Sequence, residues 1–153
     1  RAQLGLVATQ PTYPPDIGAA TIAEQSEIGL FVGRQHPFAQ YGDAEVPHTV
    51  LRETRELRLN TFVDPVGPRA ETTPVRSLRR WSAPSYLMLL EMAVLGFGWT
   101  ELPRWLVDHF AADRLHEVRA RGWPRLVPVD AVWSRNRTLG QAGAWLLETM
   151  LAG

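Results

Sequence analysis

The side chains that could do chemistry in this sequence are limited first by what it lacks. It has no cysteine, which excludes disulfides, thiolate metal sites and a cysteine nucleophile. All sixteen basic residues are arginine, so a lysine Schiff base is excluded as well. The four histidines, His36, His48, His109 and His116, show neither the i,i+4 pairing nor the nearby third ligand of a zinc site. The sequence therefore predicts no metal site.

The carboxylates and serines form no catalytic pattern. Asp43 and Asp64 lack the paired arrangement that acid–base catalysis uses. Ser85 has no Gly-x-Ser-x-Gly turn around it. Gly96 and Gly98 follow a predicted helix, which is the wrong side for a dinucleotide fingerprint. We therefore expect no enzymatic activity and no cofactor.

Anion binding is a different chemistry, and the start of the best predicted helix could support it. This helix is predicted from Pro84 to Leu95, with Ser82, Ala83 and Ser85 at its start. Free backbone N–H groups and the helix dipole favour a negatively charged group there, such as a carboxylate. The alternative is that one serine only caps the helix. Both can hold, because a second serine is present.

Further residues could contact a ligand because they follow predicted strands, where open α/β sheets bind their ligands. Each set has a structural alternative: the segments could be simple turns, and a tryptophan beside a glycine is more often part of the core. A threonine could supply a hydroxyl and a phenylalanine an aromatic wall. The residues are Thr9, Gln10 and Thr12 after the first strand, and Thr61, Phe62 and Val63 at the end of the third. Trp99 is a further candidate because it lies beside the turn at Gly96 and Gly98.

The alternation of predicted strands and helices indicates an α/β fold built from βαβ units with a mainly parallel sheet. Strands are predicted at 3–8, 27–32, 56–62, 79–82, 98–102 and 125–133, and helices at 47–53, 84–95, 103–110 and 138–150. Pro128 predicts that the last strand lies near an edge or a bend. In the last helix, Leu139, Ala142, Leu146 and Met150 are predicted to face inward.

The overall composition fits one soluble domain without a nucleic-acid-binding face. The chain has 153 residues, 45% of them hydrophobic and 21% charged, which is enough to bury a core. Its net charge is zero and its arginines are scattered, so no phosphate-binding surface is expected. The longest apolar stretch, 86–97, contains Glu91 and is too short to span a bilayer. The start at Arg1 suggests a piece of a longer protein, and the lack of cysteine fits a cytoplasmic location.

Three stretches, taken in order, resemble the effector-binding domain of LysR-type transcription regulators. In residues 29–39 a strand leads into a turn at His36 and Pro37, with Phe38 where the family usually has leucine. Residues 82–106 join a serine-led helix to a glycine, apolar, glycine segment that ends in Leu102 and Pro103. Residues 132–139 form a strand and a basic turn before the last helix. Each motif is weak alone, and their order and spacing carry the resemblance.

The resemblance implies a fold like that of type 2 periplasmic binding proteins, with two Rossmann-like lobes joined by two crossing strands. The crossings would lie near residues 28–32 and 129–134. Residues 30–130 would then form the second lobe, and residues 1–29 and 131–153 a remnant of the first. The candidate residues named above would line a ligand cleft between the lobes.

The function that the resemblance implies is the sensing of a small-molecule effector, carboxylate or aromatic, to control transcription. A homodimer or homotetramer is expected, with DNA contacted only through a winged helix-turn-helix absent from this chain, and no membrane partner. An alternative is a solute-binding component of a transport system with the same fold. An export signal upstream would favour transport, whereas a basic helix-turn-helix upstream would favour the regulator.

Overall fold

The computed structural model describes residues 4–10, 12–60 and 75–152, which form seven strands, four α-helices and one 3-10 helix. The strands are β1 (Leu4–Ala8), β2 (Ile17–Gly33), β3 (Glu56–Leu59), β4 (Arg80–Ala83), β5 (Trp99–Pro103), β6 (Leu115–Glu117) and β7 (Arg125–Ser134). The helices are α1 (His48–Glu53), α2 (Tyr86–Val94), α3 (Arg104–Phe110) and α4 (Gln141–Ala152), with the 3-10 helix at Pro37–Tyr41.

The chain divides into two compact units. Unit 1 consists of Arg1–Ser26 and Leu126–Gly153, and unit 2 of Glu27–Arg125. The sequence predicts lobe boundaries at 29/30 and 130/131. The boundaries between the units lie three and five residues earlier, at 26/27 and 125/126. The assignment of these units as lobes stays a prediction.

Unit 2 is built on a mixed sheet in which β3 lies between β4 and β5. β3 runs parallel to both β4 and β5, with Arg58 opposite Ser82 and Leu57 opposite Thr100. The second half of β2 pairs antiparallel with β5 and with β6. The fold class is therefore an α/β fold with parallel strands, as the sequence predicts, and it also contains antiparallel pairs. β6 was not predicted, because three residues carry too little periodicity.

The consecutive apolar residues of β2 are buried because the strand has a core on each face. Phe31 packs in one cluster, with side chains of α2 and α3. Its neighbours Leu30 and Val32 pack in a second cluster with Trp99 and others. Successive side chains of a strand point to opposite faces, so a strand covered on both sides needs an unbroken apolar run. This is why residues 30–32 are all hydrophobic.

The helix α2 begins two residues later than predicted and ends with the expected glycine. Pro84 precedes the helix and Ser85 is its N-cap residue. Gly96 has a φ of +86° and donates its backbone N–H to the carbonyl of Ala93. The left-handed conformation favours glycine at this position, so the predicted helix end is confirmed.

Unit 1 contains β1, β7 and the first half of β2, which lie in that order. β1 and β7 are antiparallel, from Leu4 opposite Trp133 to Ala8 opposite Val129. The sequence predicts that this strand lies near an edge or a bend, and β7 lies next to the outermost strand β1 without being the edge strand itself. Pro128 is tolerated because it lies one residue past the paired register, where its carbonyl accepts the N–H of Thr9 at 3.0 Å.

The closing helix α4 faces differently from the sequence prediction. None of its described residues is fully buried, and Leu146, predicted to face inward, is 44% exposed. Ala142 is also exposed, whereas Gly143, Leu147 and Met150 are half-buried. Apolar residues occur on several sides of this helix, so its pattern does not select one face. The predicted inward positions Ala142 and Leu146 are therefore wrong.

Among the residues that the structure describes, no helix combines the length and the apolar character needed to cross a membrane.

Candidate functional site

The first candidate site lies where β4 runs into α2 in unit 2. The hydroxyl of Ser85 accepts a hydrogen bond from the backbone N–H of Met88 at 3.3 Å, which makes Ser85 the helix cap. Ser82 is exposed, on β4. Ala83 is buried, and its carbonyl accepts the N–H of Asn60 at 3.0 Å. Ser85 is therefore a capping residue, and contact with a ligand stays a prediction for Ser82.

Charged residues that the sequence reasoning missed lie beside Ser82 on the same sheet. Ser82 is opposite Arg58 in the β3–β4 register, and Arg58 contacts Glu56 at 3.0 Å. On β5, Glu101 pairs with Arg125 at 3.0 Å. The signal that could have revealed them is a charged residue inside an otherwise apolar predicted strand, as at Glu101.

Glu56 is the most buried carboxylate of this group. It is 4% exposed, and its Oε2 atom has no hydrogen-bond partner among the described residues. Burial raises the pKa of Glu56, the neighbouring Glu101 raises it further, and Arg58 opposes both. A small pocket is lined by Glu56, Arg58, Leu59, Tyr86, Glu101 and two leucines. Its walls mix charge with apolar surface.

The second candidate site lies in unit 1, around the carboxylate of Asp130 on β7. The hydroxyl of Thr9 donates to Asp130 Oδ1 at 2.8 Å and that of Thr21 donates to the same oxygen at 2.7 Å. The hydroxyl of Tyr13 donates to Asp130 Oδ2 at 2.6 Å. We call these four residues the hydroxyl cluster. Of its members, sequence reasoning singled out only Thr9.

The hydrogen bonds of the hydroxyl cluster hold Asp130 in its charged form. Burial raises the pKa of Asp130, but the hydrogen bonds from Tyr13, Thr21 and Thr9 together outweigh burial and lower the pKa below its ordinary value. Burial and the bond to Asp130 raise the pKa of Tyr13. The carboxylate is therefore ionised and the phenol neutral at physiological pH.

The other predicted residues of unit 1, Gln10 and Thr12, lie between β1 and β2, as Tyr13 does. The backbone N–H of Gln10 donates to the Tyr13 hydroxyl oxygen at 3.2 Å, and the residue is exposed. Thr12 is exposed as well. Gln10 is thus connected to the cluster through its backbone, and Thr12 only by its position in the same loop.

Trp99 does not belong to a ligand site. Its side chain is fully buried, and its indole N–H donates to the carbonyls of Leu51 and Thr54, both at 3.1 Å. The suggestion that it stacks on a ligand is wrong, because the ring is covered by the core on all sides. The suggested ligand residues Thr61, Phe62 and Val63 lie outside the described residues.

Replacing Ser85 with alanine is expected to lower the free energy of unfolding by about 0.5–2 kcal/mol, because the N–H of Met88 loses its acceptor. Urea unfolding followed by circular dichroism measures the loss. Ser82→Ala is the matched control, expected to change stability by less than about 0.5 kcal/mol because Ser82 is exposed and lies outside the cap. Equal losses in the two variants would contradict the capping role.

No group of three or more histidine, aspartate or glutamate side chains in the described ranges is arranged to hold a metal ion. The two sites present hydroxyls, an ionised carboxylate and the start of a helix, together with arginines that form ion pairs with glutamates. Groups of these kinds can hydrogen-bond to a small polar molecule.

The whole chain matches a known protein family. The model of the LysR substrate binding domain matches residues 1–153. The chain therefore belongs to the LysR substrate-binding domain family, and its fold is the periplasmic-binding-protein-like fold of that family. No curated protein matches the chain significantly.

Solved structures of similar fold include several effector-binding domains of regulators. The regulatory domain of CcmR from Synechocystis PCC6803, in complex with 2-PG, has 18% identity and a TM-score of 0.69, over 98% of this chain and 72% of that one. The effector-binding domain of QuiR with shikimate has 13% identity and a TM-score of 0.70, over 98% and 70%. The BenM domain with benzoate has 16% identity and a TM-score of 0.63, over 97% and 67%. These likenesses show the fold.

Proposed function

We propose that this chain senses a small-molecule effector for a bacterial LysR-type transcription regulator and is not an enzyme. The family match over the whole chain is the observation that carries the proposal. The similar solved structures named above favour a regulator over a transport component, because they are regulatory or effector-binding domains in complex with 2-PG, shikimate and benzoate.

For unit 2 the proposed ligand group is a carboxylate at the start of α2. Benzoate and shikimate, which bind to the BenM and QuiR domains, are both carboxylates. The exposed hydroxyl of Ser82, the first N–H groups of α2 and the nearby guanidinium of Arg58 are suited to such a group. Ser85 would shape this site as the helix cap and would not donate to the ligand.

The proposed output is a shift in the population of conformations when the effector binds. An effector can move this equilibrium only by as much as it binds one conformation better than the other. Transmission to DNA would need a DNA-binding domain elsewhere in the regulator, and a homodimer or homotetramer in the cytoplasm is part of the same proposal. We expect no cofactor to be needed.

A calorimetric titration of the chain with benzoate and with shikimate tests this function. We expect saturable binding of at least one of them, weakened about tenfold in Ser82→Ala, which corresponds to about 1.4 kcal/mol. Thr49→Ala, at an exposed position of α1, is the matched control and should bind like the unaltered chain. Binding of neither carboxylate, or equal binding by the two variants, would contradict the carboxylate site.

A further inference from the structure

The hydroxyl cluster of unit 1 has an unusual balance of hydrogen-bond donors and acceptors. Asp130 is 3% exposed, and its carboxylate accepts hydrogen bonds from three hydroxyls. Both of its oxygens receive hydrogen bonds, from Thr9 and Thr21 on Oδ1 and from Tyr13 on Oδ2. An ionised carboxylate can only accept, so all three hydroxyl hydrogens point towards it.

The consequence concerns what the hydroxyls can still offer to a ligand. Each hydroxyl has one hydrogen and two lone pairs, and the hydrogen is committed to Asp130. The Tyr13 oxygen already accepts the backbone N–H of Gln10. Of the other two residues, Thr21 is exposed and Thr9 is half-buried, so a ligand in solvent could reach them. Their two hydroxyl oxygens can accept a hydrogen bond and cannot donate one while Asp130 is ionised.

The negative charge of Asp130 favours the same ligand groups as the hydrogen-bond pattern does. Among the residues that the structure describes, no arginine or histidine forms an ion pair with Asp130. The hydroxyls distribute its negative charge without neutralising it. A carboxylate approaching Thr9 or Thr21 would therefore meet lone pairs and a like charge, whereas an ammonium or hydroxyl group would meet acceptors.

We propose that Asp130 is a specificity-determining residue that acts through Thr9 and Thr21, so that the effector presents a hydroxyl or ammonium group to unit 1 and not a carboxylate. This inference rests on the proposed function, because it concerns the chemistry of the effector that the chain would sense. Of the residues involved, Thr9 directly follows β1, whereas Thr21 lies in β2 and Asp130 in β7.

The experiment uses three probes that share a phenyl ring, namely benzylamine, benzyl alcohol and benzoate. Each is titrated into the ¹⁵N-labelled chain, and amide shifts are followed by NMR. We expect benzylamine and benzyl alcohol to shift the amides of Thr9, Thr21 and Asp130, with benzoate leaving them unchanged. Benzoate shifting these amides as much as benzylamine would overturn the inference, as would the absence of any shift there with all three probes.

Variants separate a specific role of Asp130 from a merely structural one. Asp130→Asn keeps the shape but removes the charge, and should reduce the preference for benzylamine over benzoate by about two- to fivefold, as expected for a partly screened charge. Thr21→Val leaves Asp130 in place and removes one exposed acceptor, so it should weaken benzyl alcohol binding even if Asp130→Asn does not fold. Thr49→Val is the control and should change neither.

The same titrations distinguish this inference from the proposed function. A carboxylate site at α2 is reported by benzoate shifts at Ser82, Ser85 and Tyr86, which lie in the other unit. Shifts there, together with an unchanged probe preference in Asp130→Asn, would overturn the inference alone. Benzylamine shifts at Thr9 and Thr21 without benzoate shifts at α2 would support the inference and contradict the carboxylate site.

Discussion

Replacing Trp99 with alanine is expected to lower the free energy of unfolding by about 3–5 kcal/mol. The side chain is fully buried, and its loss leaves a large cavity next to Trp123, whose ring centroid lies 6.2 Å from that of Trp99. The substitution also leaves the carbonyls of Leu51 and Thr54 without the indole N–H. Urea denaturation followed by far-UV circular dichroism measures the change.

Two further variants make this prediction specific. Trp99→Phe retains most of the apolar volume but lacks the donor, so it should cost less than the alanine variant. Trp105→Ala is the matched control, because this tryptophan is 62% exposed and its removal should change stability by less than about 1 kcal/mol. If Trp99→Ala is no more destabilising than Trp105→Ala, the core role of Trp99 is refuted.

Replacing Asp130 with alanine is expected to cost about 2–3 kcal/mol at pH 7, since three hydroxyls lose a charged acceptor at once. The two threonine hydroxyls can be partly rehydrated, which keeps the loss below that of a fully buried charged network. Thermal and urea unfolding measure the loss. Asp43→Ala, on the surface, is the control and should be close to neutral.

The same carboxylate predicts how stability changes with acid. The pKa of Asp130 is lower in the folded state than its ordinary value of 3.8, because hydrogen bonds from the three hydroxyls outweigh burial. Its contribution to stability is therefore complete above pH 3.8 and is lost as the pH falls through the lower folded pKa. Asp130→Asn should flatten this part of the stability profile below pH 4. Parallel profiles in the two proteins would show that Asp130 makes no such contribution.

The elements that the sequence predicts well are those whose signals are local. The cap of α2 at Ser85 and the left-handed glycine that follows this helix at Gly96 are predicted from residue types that favour caps, and α3 follows directly after Pro103 as expected. The first half of β2 could not be predicted, because only Gly18 and Ile22 are buried in residues 17–26. That segment is a strand because of its partners in unit 1, which are distant in sequence.

The same limit applies to the candidate sites. Ser82 and Ser85 could be identified because a helix start has a recognisable pattern. Asp130, in contrast, lies 109 to 121 positions away from the hydroxyls that contact it. The available signal was a single carboxylate inside an apolar strand. Gly98 is similar: a Cβ there would lie 2.4 Å from the carbonyl oxygen of Arg55, a requirement that only the folded chain reveals.

The edge-to-face pair of Trp99 and Trp123 has a consequence for spectroscopy. The two indoles lie at 73° to each other, one fully buried and the other nearly so, whereas Trp81, Trp105 and Trp145 are exposed. A rigid indole pair contributes an asymmetric near-ultraviolet signal that disappears when its packing is lost. Acrylamide quenches exposed indoles and spares enclosed ones. The chain thus carries an intrinsic optical reporter of the unit 2 core that needs no added label.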